Sequence, residues 1–183
     1  MFSIAAAPLL CMFIGALVSA TPVARQSLCS PNFEGAGVSI IAGDAEWTVA
    51  PVVAGTPLKK DGDPFPPNAT ANWHVEQTGS ANATYLVKAI TNNELVVDVV
   101  SNQLTLEQIA SSKQTQIWDI KCKQCVSGAS STPGGGEFAS GCSIVSVPSG
   151  LCATLEMGSE FLGLTECNPV VAQTWSFWTA TSS

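Results

Sequence analysis

Three stretches of this chain run into a tryptophan that opens a short apolar strand. They are Ala71-Asn72-Trp73-His74-Val75, Gln116-Ile117-Trp118-Asp119-Ile120 and Gln173-Thr174-Trp175-Ser176-Phe177. The tryptophans stand 45 and 57 residues apart, and the longer interval contains the glycine-rich run 128–136. Recurrence at such a period marks units that bury their apolar faces against one another. Comparable strands precede the last two tryptophans: 85–90, 95–99 and 104–106 before Trp118, then 142–147, 151–155 and 161–164 before Trp175. Before Trp73, segments 38–41 and 47–49 have the same character.

These segments are β-branched or alternate apolar with polar residues, and glycine, asparagine and proline punctuate them. About ten to twelve short strands at this spacing predict an all-β barrel or sandwich. Helical periodicity is nearly absent; the best window, 104–111, is too short for a useful amphipathic stripe. Two segments, 59–72 and 128–136, have the composition of exposed insertions between strands. A single domain over residues 29–183 is the simplest organisation.

Residues 1–20 carry no charge and end in Val18-Ser19-Ala20 before Thr21-Pro22, the pattern of a secretory signal. The alternative, a membrane anchor of bare spanning length, is opposed by Pro8 and Gly15 and by the absence of flanking basic residues. Residues 21–28 form an N-terminal extension. Removal of the signal takes Cys11 with it and leaves six cysteines: Cys29, Cys122, Cys125, Cys142, Cys152 and Cys167. An even count in an oxidising compartment predicts three disulfides. Sequons at Asn68 and Asn82 fit a secreted glycoprotein.

Composition narrows the partners. Seven Lys and Arg residues and a net charge of −7 cannot neutralise a phosphate backbone, so nucleic acid is excluded. No membrane association is expected after signal removal. A content of 46% hydrophobic and 11% charged residues gives a chain able to form a core. With a single histidine, His74, imidazole-dependent metal and catalytic sites are not expected, nor is a cofactor. Strand alternation turns His74 away from the side of Trp73 and Val75. No nucleophile elbow, phosphate loop or zinc helix occurs. Cys122-Lys123-Gln124-Cys125 lacks the βαβ context of a redox motif and a second ligand pair for zinc.

Gln116-Ile117-Trp118 and Gln173-Thr174-Trp175 resemble the Gln-x-Trp signature of the ricin B-type lectin family, and the Trp73 unit keeps the tryptophan alone. The resemblance covers roughly residues 29–178. It implies a disulfide-stapled β-trefoil of three pseudo-repeats, with Trp73, Trp118 and Trp175 filling the shared interior. It also implies a bridge between Cys152 and Cys167. Of Cys122 and Cys125, one is expected to pin the glycine-rich loop to Cys142 and the other to reach Cys29; the sequence leaves open which.

Sugar-binding members of that family carry an Asp on the second strand of a unit, an aromatic ring near the third and polar groups beside the Gln-x-Trp. Asp98 and Gln116 match the carboxylate and the amide, and Asn102 and Tyr85 are candidates to complete an altered pocket. The aromatic position aligns with Glu107 in the second unit and Thr165 in the third, while Thr154 stands at the third carboxylate position. Thr48 and Lys59 align in the first unit. The resemblance therefore implies a monomeric, non-catalytic glycan binder with degraded galactose pockets. The rivals are a trefoil that binds an extracellular protein, such as a protease inhibitor using loop 59–72, and a structural secreted protein.

Overall fold

The computed structural model describes residues 27–61, 65–126, 128–155, 158–168 and 170–181; the expected signal over 1–20 and residues 21–26 lie outside them. Along Val38–Ala42, Tyr85–Ala89 and Trp175–Thr179 every second side chain is buried and the next is half-buried. This period of two gives each strand one dry face and one wet face.

The strands fall into three units. The first contains β1 (Val38–Ala42), β2 (Ala45–Thr48), β3 (Thr56–Pro57), β4 (Lys59–Asp61) and β5 (Asn72–Gln77). The second contains β6 (Tyr85–Ala89), β7 (Asn92–Val100), β8 (Gln103–Gln108) and β9 (Trp118–Lys121). After the short β10 (Gln124–Cys125) come β11 (Glu137–Ser146), β12 (Cys152–Leu155), β13 (Leu162–Thr165) and β14 (Trp175–Thr179).

The first and last strands of the units close a ring, β1–β5–β6–β9–β11–β14 and back to β1, with every pair antiparallel. Closure leaves the barrel without a free edge. The hairpins β2–β4, β7–β8 and β12–β13 form the cap. They join one another through β3–β8, β8–β13 and a bridge between Lys59 and Phe161. This is a β-trefoil.

Tryptophans link barrel to cap. Trp73, Trp118 and Trp175 are each fully buried at the start of the closing strand of a unit. Each indole Nε1–H donates to a second-strand carbonyl: Trp47, Val97 and Ala153 respectively, all at 3.2 Å. Three equal bonds at equivalent places demonstrate the threefold repeat at atomic level. They also satisfy the one polar atom that a buried indole brings with it. Trp47 is a fourth buried tryptophan, edge-on to Trp73 and Trp175 with centroids 6.4 and 5.3 Å apart. Phe33 packs edge-on against Tyr85, Phe138 and Phe177.

Three disulfides staple the trefoil: Cys29–Cys125, Cys122–Cys142 and Cys152–Cys167. Cys29 and Cys122 exchange backbone hydrogen bonds at 2.9 Å, which brings the N-terminal segment against the chain beyond β9. Cys142 follows a bulge in β11, where Gly141 adopts φ of +63°, a conformation costly for side-chain-bearing residues.

Both expected insertions are more structured than their composition implies. Lys59–Asp61 is a strand paired with β2, and Thr70 and Ala71 are buried, so the exposed part of 59–72 is narrowed to 65–68 among the described residues. The partner strand, with its ladder of hydrogen bonds, overrides the weak β preference of Lys-Lys-Asp. In 128–136, Ala129 is buried and donates its N–H to the Asn32 carbonyl at 2.9 Å. Gly135 donates its N–H to the Thr179 carbonyl, and Gly136 both accepts from the Thr179 N–H and donates to its hydroxyl. The glycines lie along the end of β14.

Candidate functional site

In the second unit, Asp98 and Gln116 meet. The Gln116 Nε2 donates to Asp98 Oδ2 at 3.0 Å and to the Gln108 carbonyl at 2.9 Å, while its Oε1 accepts from the Ala110 N–H at 2.9 Å. The Val99 N–H donates to Asp98 Oδ1 at 2.7 Å, and Lys113 Nζ reaches Oδ2 at 3.2 Å. Only 1% of Asp98 is exposed. Burial alone would raise its pKa; hydrogen bonds from Thr115, Gln116, Lys113 and the Val99 N–H prevail and hold it below the ordinary 3.8. The carboxylate spends its acceptor capacity on its own chain and braces the loop that carries Gln116.

The third unit repeats the brace without a charge. Gln173 Nε2 donates to Thr154 Oγ1 at 2.9 Å, Thr165 Oγ1 at 2.7 Å and the Glu166 carbonyl at 2.8 Å. Its Oε1 accepts from the Asn168 N–H at 2.6 Å. In the first unit Ala71 stands two residues before the tryptophan, and Thr48 Oγ1 turns to the Lys59 carbonyl at 3.2 Å.

Ladder register corrects one alignment. Val96 pairs with Glu107 and Cys152 with Thr165; the equivalent pair in the first unit is Glu46 with Asp61. Asp61, not Lys59, therefore holds the position where an aromatic ring would stand. The intervening loops differ in length, so counting residues from Thr48 falls short. The three positions carry Asp61, Glu107 and Thr165, and a ring is present at none of them.

Asn102 does not join Asp98. With Ser101 it forms the turn of the β7–β8 hairpin, at φ of 64° and 52°, and its carbonyl accepts from the Leu164 N–H. Tyr85 is fully buried in the barrel, its hydroxyl donating to the Pro31 carbonyl at 3.0 Å. It is a core residue because its neighbours on the inward face of β6, Val87 and Ala89, are core too. The sequon residues Asn68 and Asn82 are exposed. His74 lies on the outer barrel wall, with Nδ1 2.8 Å from Asn93 Oδ1.

The outer wall also displays a tryptophan that repeat analysis overlooks. Trp175 and Phe177 point inward, so alternation sends Ser176 and Trp178 outward. Trp178 pairs across β1 with Ser39, and Ser39 with Asn72 on β5. The next outward row is Ser176, Ile41 and Glu46. The Ser39 hydroxyl donates to Asn72 Oδ1 at 3.2 Å. Burial raises the Glu46 pKa above its ordinary value, with the nearby Ser39 side chain opposing the shift. Ser39, Ile41, Glu46, Asn72 and Trp178 share a groove of about 860 Å³ with the exposed Phe65.

No protein-family model matches the chain, and no curated protein matches it. Solved structures do. Cry35Ab1 superposes with a TM-score of 0.62 at 13% identity, over 81% of this chain and 36% of its own. The Polyporus squamosus lectin, solved bound to a human-type influenza-binding epitope, matches with a TM-score of 0.56 at 18% identity, over 81% of this chain and 50% of its own. The BEL β-trefoil matches with a TM-score of 0.56 at 13% identity, over 82% of this chain and 97% of its own. The chain thus spans well under two thirds of the first two proteins and nearly all of the third. At these identities the likeness establishes the β-trefoil fold; the Haemophilus ducreyi cytolethal distending toxin is also similar, with a TM-score of 0.56 at 18% identity over 80% of this chain and 87% of its own.

Proposed function

We propose that the protein is a secreted, non-catalytic carbohydrate-binding β-trefoil of the ricin B type. The observation that carries this reading is the repeated glutamine brace. Gln116 and Gln173 make equivalent bonds to the second strand and to the loop after the third. This gives the Gln-x-Trp resemblance a common structural meaning in both units. A lectin among the fold neighbours, that of Polyporus squamosus, supports the same class. Three disulfides fit an oxidising compartment, and exposed Asn68 and Asn82 fit glycosylation there. The sole imidazole, His74, borders a groove whose described lining includes no Ser, Thr or Cys nucleophile, which supports a binding role over nucleophilic catalysis.

A glycan array probed with the folded mature protein tests the proposal. Saturable binding to a defined set of glycans is expected. Failure to bind any glycan, together with inhibition of a protease panel, would replace it with the protein-binding alternative.

A further inference from the structure

The inherited sugar position in the second unit is closed from within. Asp98 is buried and fully engaged, and its neighbour at the aromatic position is Glu107. The third unit has threonines bonded to each other at 2.8 Å. A carbohydrate needs an aromatic face for its apolar C–H surface and fixed polar groups for its hydroxyls. The outer wall across β14, β1 and β5 supplies both.

Resting on the carbohydrate-binding reading, we propose that the ligand is a neutral pyranoside held on this barrel wall, stacked on Trp178 and hydrogen-bonded by Ser39, Asn72 and Glu46. Four of the five tryptophans are fully buried; Trp178 alone is partly exposed. Trp178, Ser39 and Asn72 occupy one row across three adjacent strands. Two strand spacings, about 10 Å, separate the row's ends, enough for one sugar ring across the row. The Ser39–Asn72 bond engages the amide oxygen and leaves the amide N–H donors for hydroxyl oxygens. Glu46, in the next row, supplies an acceptor. Phe65 borders the same open groove.

Charge selects the class of sugar. Among the described residues the groove is lined by one carboxylate, Glu46, and by no Lys or Arg. Glu137 and Asp61 are the cross-strand neighbours of Trp178 and Glu46. A sialylated or sulfated glycan would bring an anion to this face without a cation to receive it. Neutral hexose units meet no such cost.

The test is titration of wild-type, W178A, W178F, N72A and E107A proteins with neutral glycans and their sialylated counterparts, each variant first verified as folded by near-ultraviolet circular dichroism. Wild type should prefer the neutral series. W178A and N72A should each weaken binding by about tenfold or more, with W178F retaining most of it. E107A, at the inherited aromatic position, should bind as wild type does. Neutral-glycan binding that survives W178A and N72A but is lost in E107A would overturn the proposed location while leaving the lectin reading intact. A stronger response to sialylated glycans would overturn the neutral specificity. Failure of wild type to bind any glycan would remove both the site and the reading on which it rests.

Discussion

Gln116 donates its side-chain N–H to the Asp98 carboxylate at 3.0 Å, and both side chains are sealed from solvent. In the third unit Gln173 makes the same reach to Thr154. In both units the glutamine holds the loop before the closing tryptophan against the second strand.

This brace has a stability signature. Q116A removes one of several partners of a buried carboxylate and frees the Gln108 carbonyl and Ala110 N–H. A loss of about 2–3 kcal/mol is expected, because unsatisfied buried polar groups cost their desolvation. Urea unfolding of wild type and Q116A measures it. A loss within a few tenths of a kcal/mol would show that the brace is dispensable.

Asp98 also fixes a pH dependence. Its folded pKa lies below the ordinary 3.8, so its ionised form stabilises the fold above that value. The contribution falls as pH drops through the folded pKa, since the unfolded chain binds the proton first. The stability gap between wild type and D98N should therefore be full near neutrality and narrow in strong acid. Unfolding curves at a series of pH values check this. Glu46, raised by burial, contributes in the opposite sense: its part is present in acid and fades as pH rises through its folded pKa. E46Q should remove that second dependence and leave the first.

Tryptophan position separates packing from recognition. W118A empties a fully buried site and abandons the Val97 carbonyl, so a loss of about 3–5 kcal/mol is expected. W178A removes a half-buried ring from the outer wall, so a smaller loss of about 1–2 kcal/mol is expected. Thermal melts of the two variants distinguish them. Similar losses would mean that Trp178 is a packing residue.

Of the staples, Cys152–Cys167 closes a separation of 15 residues. Replacing both cysteines by alanine should cost about 3 kcal/mol in the chain-entropy account. Peptide mapping without reduction should recover Cys29 with Cys125 and Cys122 with Cys142 as separate pairs. Recovery of Cys29 with Cys122 would contradict the arrangement around the N-terminal segment.

The all-β trefoil was legible because its two determinants are local patterns: alternation along strands, and a tryptophan recurring at unit length. What escaped depends on register. Residue counting aligned Lys59 with Glu107, whereas the β2–β4 ladder places Asp61 there, because hairpin loops differ in length. The partners of Cys122 and Cys125 were open because two cysteines three residues apart compete on equal terms in sequence. Backbone pairing of Cys29 with Cys122 leaves Cys125 to receive the Cys29 sulfur. Tyr85, a pocket candidate by sequence because a phenol suits sugar contact, is instead a core residue whose hydroxyl is satisfied inside by the Pro31 carbonyl. Trp178 was readable in principle, because two tryptophans three apart on one strand face opposite sides.

The most direct test of the central claim is an amide and indole nitrogen–proton spectrum of the folded protein, recorded while a neutral oligosaccharide is added. Saturable shifts of the Trp178 indole signal and of Ser39 and Asn72, with Trp118 and Trp175 unmoved, are the predicted result. An unchanged spectrum across neutral glycans would contradict the account.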